Sequence, residues 1–285
     1  PAPGNVGALG RSGVPDRDGG TPGVQPFIAG TPFNVTVRLT DATFNPIPAG
    51  SPITMRFYSS DPYAVLPADT VLNSDGEDVF SVTLASATAL GGGSSVWVVP
   101  LANGNVMSST SSVLLVDPGT PARLLALPYG VQPDKGSPSG YTGTPVATAA
   151  GHGYPLRVFV VDSLNNPVLC SEYPVAPPAP DCIEPSVQLG VTDPYAPAVV
   201  NFSVTGGSRT VDVQFYSNTV INPVGGPWSV TISTTDGSNL SPASVSGVTV
   251  NPDAPYQFQV LVPTETSRGG ATALLGKTTF SATSE

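Results

Sequence analysis

Histidine is almost missing from this chain. His152 is the only one, which removes most metal sites and acid–base constellations. A catalytic histidine also needs a nucleophile or substrate proton within reach and an orienting carboxylate. The position matching His152 in the repeat described below is Thr31, so a surface or edge role is expected. Positive charge is scarce as well: 10 Lys and Arg stand against 20 Asp and Glu, with no basic cluster. Such a chain cannot neutralise a run of phosphates, and no nucleic-acid partner is expected. Long apolar runs are absent. The longest, such as Val113-Leu114-Leu115-Val116, suit strands and fall far short of the ~18 residues of a membrane helix, so no membrane insertion is expected. There is no G-x-S-x-G element and no persuasive carboxylate pair. The expectation is a protein that is not an enzyme and has no catalytic residue, no cofactor and no metal.

What is present points to a folded chain. Only 11% of residues are charged, but 40% are hydrophobic, the opposite of a disordered composition. The 31 glycines and 33 prolines are more than a fifth of the 285 residues, against an average near 12%. They punctuate short alternating segments. Phe33, Val35, Val37 and Leu39 alternate with Asn34, Thr36 and Arg38, and Leu156-Val158-Val160, Val211-Val213-Phe215, Val230-Ile232 and Phe258-Val260-Val262 follow the same rule. This is the two-residue period of half-buried strands. Prolines interrupt nearly every window long enough for an amphipathic helix.

The segments repeat. Residues 30–46 align with 151–167 at an offset of 121, matching Asp41 with Asp162 and Asn45-Pro46 with Asn166-Pro167. Asp61-Pro62-Tyr63-Ala64 recurs as Asp193-Pro194-Tyr195-Ala196, and Phe80-Ser81-Val82-Thr83 as Phe202-Ser203-Val204-Thr205. Trp97 pairs with Trp228, and the shared position is expected to fill the core. A third copy begins: Asp117-Pro118 leading into Arg123–Pro128 is echoed by Asn251-Pro252 leading into Gln257–Pro263. The expected division is a Gly/Pro-rich segment (1–29), a first domain (30–117) without its own opening strand, a second domain (118–251) and a tail (252–285). Repeats of this length with about seven short strands predict an all-β fold of tandem antiparallel β-sandwich domains.

The stretches AGTPFNVTVRLTD, YSSDPYAVLPAD, VFSVTL, VDPGTPARLLALP and GYTGTP resemble the bacterial Ig-like tandem repeats of large secreted and cell-surface proteins. The resemblance spans nearly the whole chain and implies Ig-like sandwiches, exported and serving as filament, stalk or adhesin material. It brings no catalytic residues. Antibody-type domains bridge their sheets with two cysteines, a hallmark this chain departs from.

Cys170 and Cys182 lie in a Pro-rich insertion of the second repeat, within 168–192. A disulfide closing that loop is expected, contributing about 2–3 kcal/mol in the loop-entropy view, and it argues for an oxidising, extracellular or cell-surface setting. Two free thiols or half a metal site are the rival readings, although no second ligand pair exists. Asn73-Ser74-Asp75-Gly76-Glu77-Asp78 is acidic but lacks calcium-loop spacing and reads as a solvated turn. The repeat pattern also pairs a strand deficit in the first domain with a spare strand, Gln257, Phe258, Gln259, Val260, Leu261 and Val262, in the tail. Head-to-tail polymerisation by strand donation follows as the leading expectation, with other copies of the chain or neighbouring repeats as partners. An adhesin or carbohydrate-binding module, with a glycan partner stacked on exposed aromatics, is the alternative.

Overall fold

The computed structural model describes residues 15, 17, 26–88, 92–101, 106–170, 182–197, 199–220, 227–263 and 265–271. Among the described residues the regular elements are strands apart from a 3-10 turn at Thr205–Gly207, in keeping with the two-residue alternation and frequent prolines. The chain divides into two compact units. The first runs to Gly119 and includes Lys135–Pro138, and the second starts at Thr120 and holds the rest.

The first unit contains β1 (Phe27–Ile28), β2 (Phe33–Arg38), β3 (Ile53–Ser59), β4 (Thr70–Leu72), β5 (Glu77–Val82), β6 (Val96–Pro100), β7 (Ser109–Thr110) and β8 (Val116–Asp117). Its four-stranded sheet has the order β4-β3-β6-β7, and β2 pairs, among the described residues, with β5 alone. The core between them holds Met55, Phe57, Leu72, Val82, Leu84, Val96, Leu114 and Val116. Phe57 meets Phe80 with ring centroids 5.1 Å apart.

The second unit contains β9 (Arg123–Pro128), β10 (Gln132–Pro133), β11 (Tyr141–Thr142), β12 (Thr148–Ala149), β13 (Gly153–Val161), β14 (Ser186–Val191), β15 (Val199–Ser203), β16 (Ser208–Gln214), β17 (Trp228–Thr234), β18 (Ala243–Val248) and β19 (Val250–Asn251). Its sheets have the orders β16-β13-β9 and β15-β14-β17-β18. Both are antiparallel, and three strands facing four form an Ig-like sandwich.

Strand pairings test the proposed repeat. The short parallel pair β1–β8 matches β12–β19. Asp41 and Asp162 organise the same turn: each carboxylate accepts from the backbone N–H groups two and four residues on, at 2.8–2.9 Å. Two sequence matches are corrected. Phe80-Ser81-Val82 belongs to β5, which pairs β2, whereas Phe202-Ser203 ends β15, which pairs β14; these strands are not equivalent. Trp97 and Trp228 are not equivalent either. Trp97 lies opposite Tyr58 on β3, a place taken in the second unit by Thr231 opposite Gly190. Trp228 is buried and donates from Nε1 to the Ser217 carbonyl at 2.7 Å. Trp97 is half-buried and stacks on Tyr58 at 5.7 Å.

Cys170 and Cys182 form a disulfide with Cα atoms 5.4 Å apart, within the ordinary span for the bond. The Pro-rich residues 171–181 between them lie outside the described residues.

Tyr154 is almost fully buried, and its hydroxyl finds no hydrogen-bond partner among the described residues; burial pushes its pKa up. Its counterpart in the first unit is Phe33. Tyr154→Phe removes an unsatisfied polar atom and keeps the ring, so it should stabilise the second unit by about 1 kcal/mol. Urea denaturation of the variant beside the parent chain measures this.

Candidate functional site: a strand edge and an exposed tail segment

In the second unit β13 is central. β9 pairs along one edge from Leu156↔Pro128 to Val161↔Arg123, and β16 pairs along the other. Enclosed on both sides, Tyr154, Leu156 and Val158 are at most 1% exposed.

β2 is the counterpart of β13, 121 residues earlier, and β5 is the counterpart of β16. Among the described residues no strand lies along the other edge of β2. Phe33, Val35 and Val37, matching Tyr154, Leu156 and Val158, are accordingly only half-buried. An antiparallel strand paired on one side alone directs alternate N–H and C=O groups to the open side. Proline, bulges and inward charges commonly blunt such edges. β2 has none of these: its one charge, Arg38, is engaged by Glu77 across the pair to β5.

The tail holds the complementary feature. Adding 134 to the numbers of β9 gives Gln257–Val262, and the same offset relates Val116-Asp117 to Val250-Asn251 in their parallel pairs. Where β9 buries Leu124, Ala126 and Pro128, this segment carries Phe258, Val260 and Val262. The expectation of a strand here is met in pattern only. Gln257–Val262 forms no ladder, and its apolar side chains are exposed, Phe258 completely. A strand needs a ladder for its backbone groups, and here only a local turn is seen, Val262 N–H donating to Glu265 Oε2 and Val262 C=O accepting from Glu265 N–H, both at 3.0 Å.

Both units also share a buried carboxylate that the sequence marked only as an unbroken Asp-Pro-Tyr-Ala. Asp61 and Asp193 are 4% and 3% exposed. Asp61 Oδ2 accepts from the N–H groups of Ala85 and Ser86 at 2.6 and 2.9 Å, and Oδ1 from Tyr63 N–H and Ser86 Oγ at 3.0 and 2.7 Å. Asp193 repeats this with Tyr216, Ser217 and Tyr195 at 2.6–3.1 Å. Each serine hydroxyl also faces a loop carbonyl: Ser86 that of Lys135 at 3.0 Å, and Ser217 that of Gly269 at 3.1 Å. The hydroxyl has one proton, shared between carboxylate and carbonyl. Tyr63 and Tyr195 brace these turns through their backbone N–H groups.

The remaining sequence candidates do not converge. His152 is exposed and sits 3.2 Å from Asp253. The Asp253 carboxyl is held below its usual pKa by the Ala254 N–H first and by His152 second. Asn73 closes the β4–β5 turn by accepting from Asp75 N–H at 3.0 Å. Among the described residues no three His, Cys, Asp or Glu side chains lie close enough to hold a metal ion, and no helix is long and apolar enough to cross a membrane.

No protein-family model matches the chain, and no curated protein matches it. Among solved structures it is similar to Bacteroides uniformis beta-glucuronidase 3, with 12% identity over 68% of this chain and a TM-score of 0.27. This chain covers only 20% of that enzyme. It is also similar to CBD12 from CALX1.2, with 9% identity, 74% of this chain, 76% of that one and a TM-score of 0.23. Rst D1-D2 matches at 7% identity, 80% of this chain, 95% of that one and a TM-score of 0.20. Likeness at this level carries no functional argument, and the sandwich architecture rests on the strand order itself.

Two outcomes follow from these carboxylates. Asp61→Ala and Asp193→Ala each strand several buried donors, so each should cost its unit about 3 kcal/mol, read from chemical denaturation. Asp41 is held down to about 2, from 3.8, first by the Asn45 side chain, then by the Asn45 N–H and the Thr43 hydroxyl. Its folded-state pKa is depressed, so its contribution is present above the unfolded value and lost as pH falls from about 4 through about 2. Asp41→Asn should flatten the acid limb of the first unit's stability profile, measured by thermal melts at stepped pH.

Proposed function

We propose that this chain is a structural building block of an extracellular or cell-surface filament, stalk or sheath, and that it is not an enzyme. Subunits join head to tail: Gln257–Val262 of one copy lies along β2 of the next and completes its sandwich. One observation carries the reading. Among the described residues no strand takes the place beside β2 that β9 takes beside β13, while a segment with the β9 pattern exposes its apolar side chains in the tail and joins no ladder. The donated segment has no charge, so its burial strands no ion. The contact joins two different surfaces, and repeated without closure it makes a fibre. The disulfide accords with an oxidising compartment.

The energies are close to balance. Burying Phe258, Val260 and Val262 yields about 2 kcal/mol each, and each ladder hydrogen bond adds about 1 kcal/mol. Fixing a free six-residue backbone costs about 1–2 kcal/mol per residue. Assembly should therefore depend strongly on concentration and on any single apolar anchor. Electron microscopy of the full chain should show fibres that disappear on truncation after Pro252 and in Val260→Asp. Single particles from the full chain at high concentration, or fibres that survive both changes, would contradict the reading.

A second reading, an adhesin or carbohydrate-binding module, draws support from the Tyr58–Trp97 stack. Tyr58 is 38% exposed and Trp97 half-buried on the outer face of β3 and β6, beside the Arg56–Asp69 ion pair. Sugars stack on such rings. Glycan binding lost in Trp97→Ala, with fibres absent, would favour this reading.

A further inference from the structure

The donor segment does not hang free at both ends. Upstream, Val250-Asn251 pairs in parallel with Thr148-Ala149, and Asp253 faces His152. Downstream, Gly269 presents its carbonyl to Ser217 Oγ, and Gly270 lies against Tyr195 and Tyr216. Gly270 has φ +86°, and an added Cβ would come within 2.9 Å of Tyr216 C and Tyr195 Cδ2 and closer still to Ser217 Oγ. Lys135-Gly136 fills the Asp61–Ser86 socket of the first unit in the same way, with Gly136 at φ +76°. The same 134-residue offset that relates β9 to Gln257–Val262 relates Gly136 to Gly270. Opening strand and glycine loop thus recur together as one module.

From this we infer that the Asp193–Ser217 socket is a latch for the Gly269-Gly270 loop, holding the tail as an arch pinned at both ends. The latch presents the donor segment to a second copy of this chain in one register. The inference rests on the strand-donation reading and adds how the donor is held and where it lands. Transferring the β13–β9 register by the two offsets places Val262 opposite Val35, Leu261 opposite Thr36, Val260 opposite Val37 and Gln259 opposite Arg38. Val262 and Val260 then face the half-buried side of β2, and Leu261 and Gln259 its exposed side. Pinning both ends removes conformations that a loose tail would lose on docking, so less of the binding energy goes into ordering it.

The test uses full-length chains with single added cysteines on the exposed side, the native pair Cys170–Cys182 being closed. Thr36→Cys mixed with Leu261→Cys should cross-link on mild oxidation, and Thr36→Cys mixed with Gln259→Cys should not. Adding Gly270→Val to the donor chain cannot be accommodated in the socket. It should lower the in-register yield about tenfold and let the shifted pair appear. Ser217→Ala, which removes only the shared hydroxyl, is the milder second variant and should act in the same direction. No cross-link at any pair in the parent background overturns strand donation and the latch together. An in-register cross-link untouched by both latch variants overturns the latch and leaves donation standing. A dominant shifted pair in the parent background overturns the register.

Discussion

The whole architecture depends on the backbone ladder along the central strand of the smaller sheet. In the second unit that strand is paired on both edges, and its inward side chains are sealed from water. In the first unit the equivalent strand is paired, among the described residues, on one edge, and the same positions are only half-buried. Where no described strand lies along the second edge of β2, the same place lacks both a ladder for backbone groups and a row of apolar contacts. The proposed assembly is the most economical repair, because the chain itself carries a segment of the right pattern.

Turns built around carboxylates recur in both units. Asp41 and Asp162 close the turn after the central strand in each unit, and Asp61 and Asp193 tie the Asp-Pro-Tyr-Ala turn to the segment after the smaller sheet. Their acceptor oxygens satisfy N–H groups that no ladder reaches. The same two sockets each receive a glycine loop, Lys135-Gly136 in one and Gly269-Gly270 in the other.

Much of this was legible in the sequence, for reasons that differ by feature. The strands were read from alternation, and the duplication from Asp41/Asp162, Asn45-Pro46/Asn166-Pro167 and the two Asp-Pro-Tyr-Ala turns, where side-chain chemistry fixes each residue. The matches that failed lacked such chemistry. Phe80-Ser81-Val82 and Phe202-Ser203-Val204 share only a strand pattern, and a two-residue period is satisfied by any even shift. Trp97 and Trp228 were paired across Gly-rich connections whose lengths differ, so their registers were not comparable by eye. The sockets were invisible in one dimension: Ser86 and Ser217 look like ordinary strand-end serines. The signal available was Gly136 and Gly270 at the offset already established by Asp117 and Asn251.

Hydrogen exchange of the full chain across a concentration series tests the central claim most directly. The account predicts that the β2 amides facing away from β5 and those of Gln257–Val262 exchange fast in dilute solution and become protected together as concentration rises, while β13 is protected throughout. If the two segments exchange at the same rate at every concentration, or only one gains protection, strand donation to β2 is contradicted.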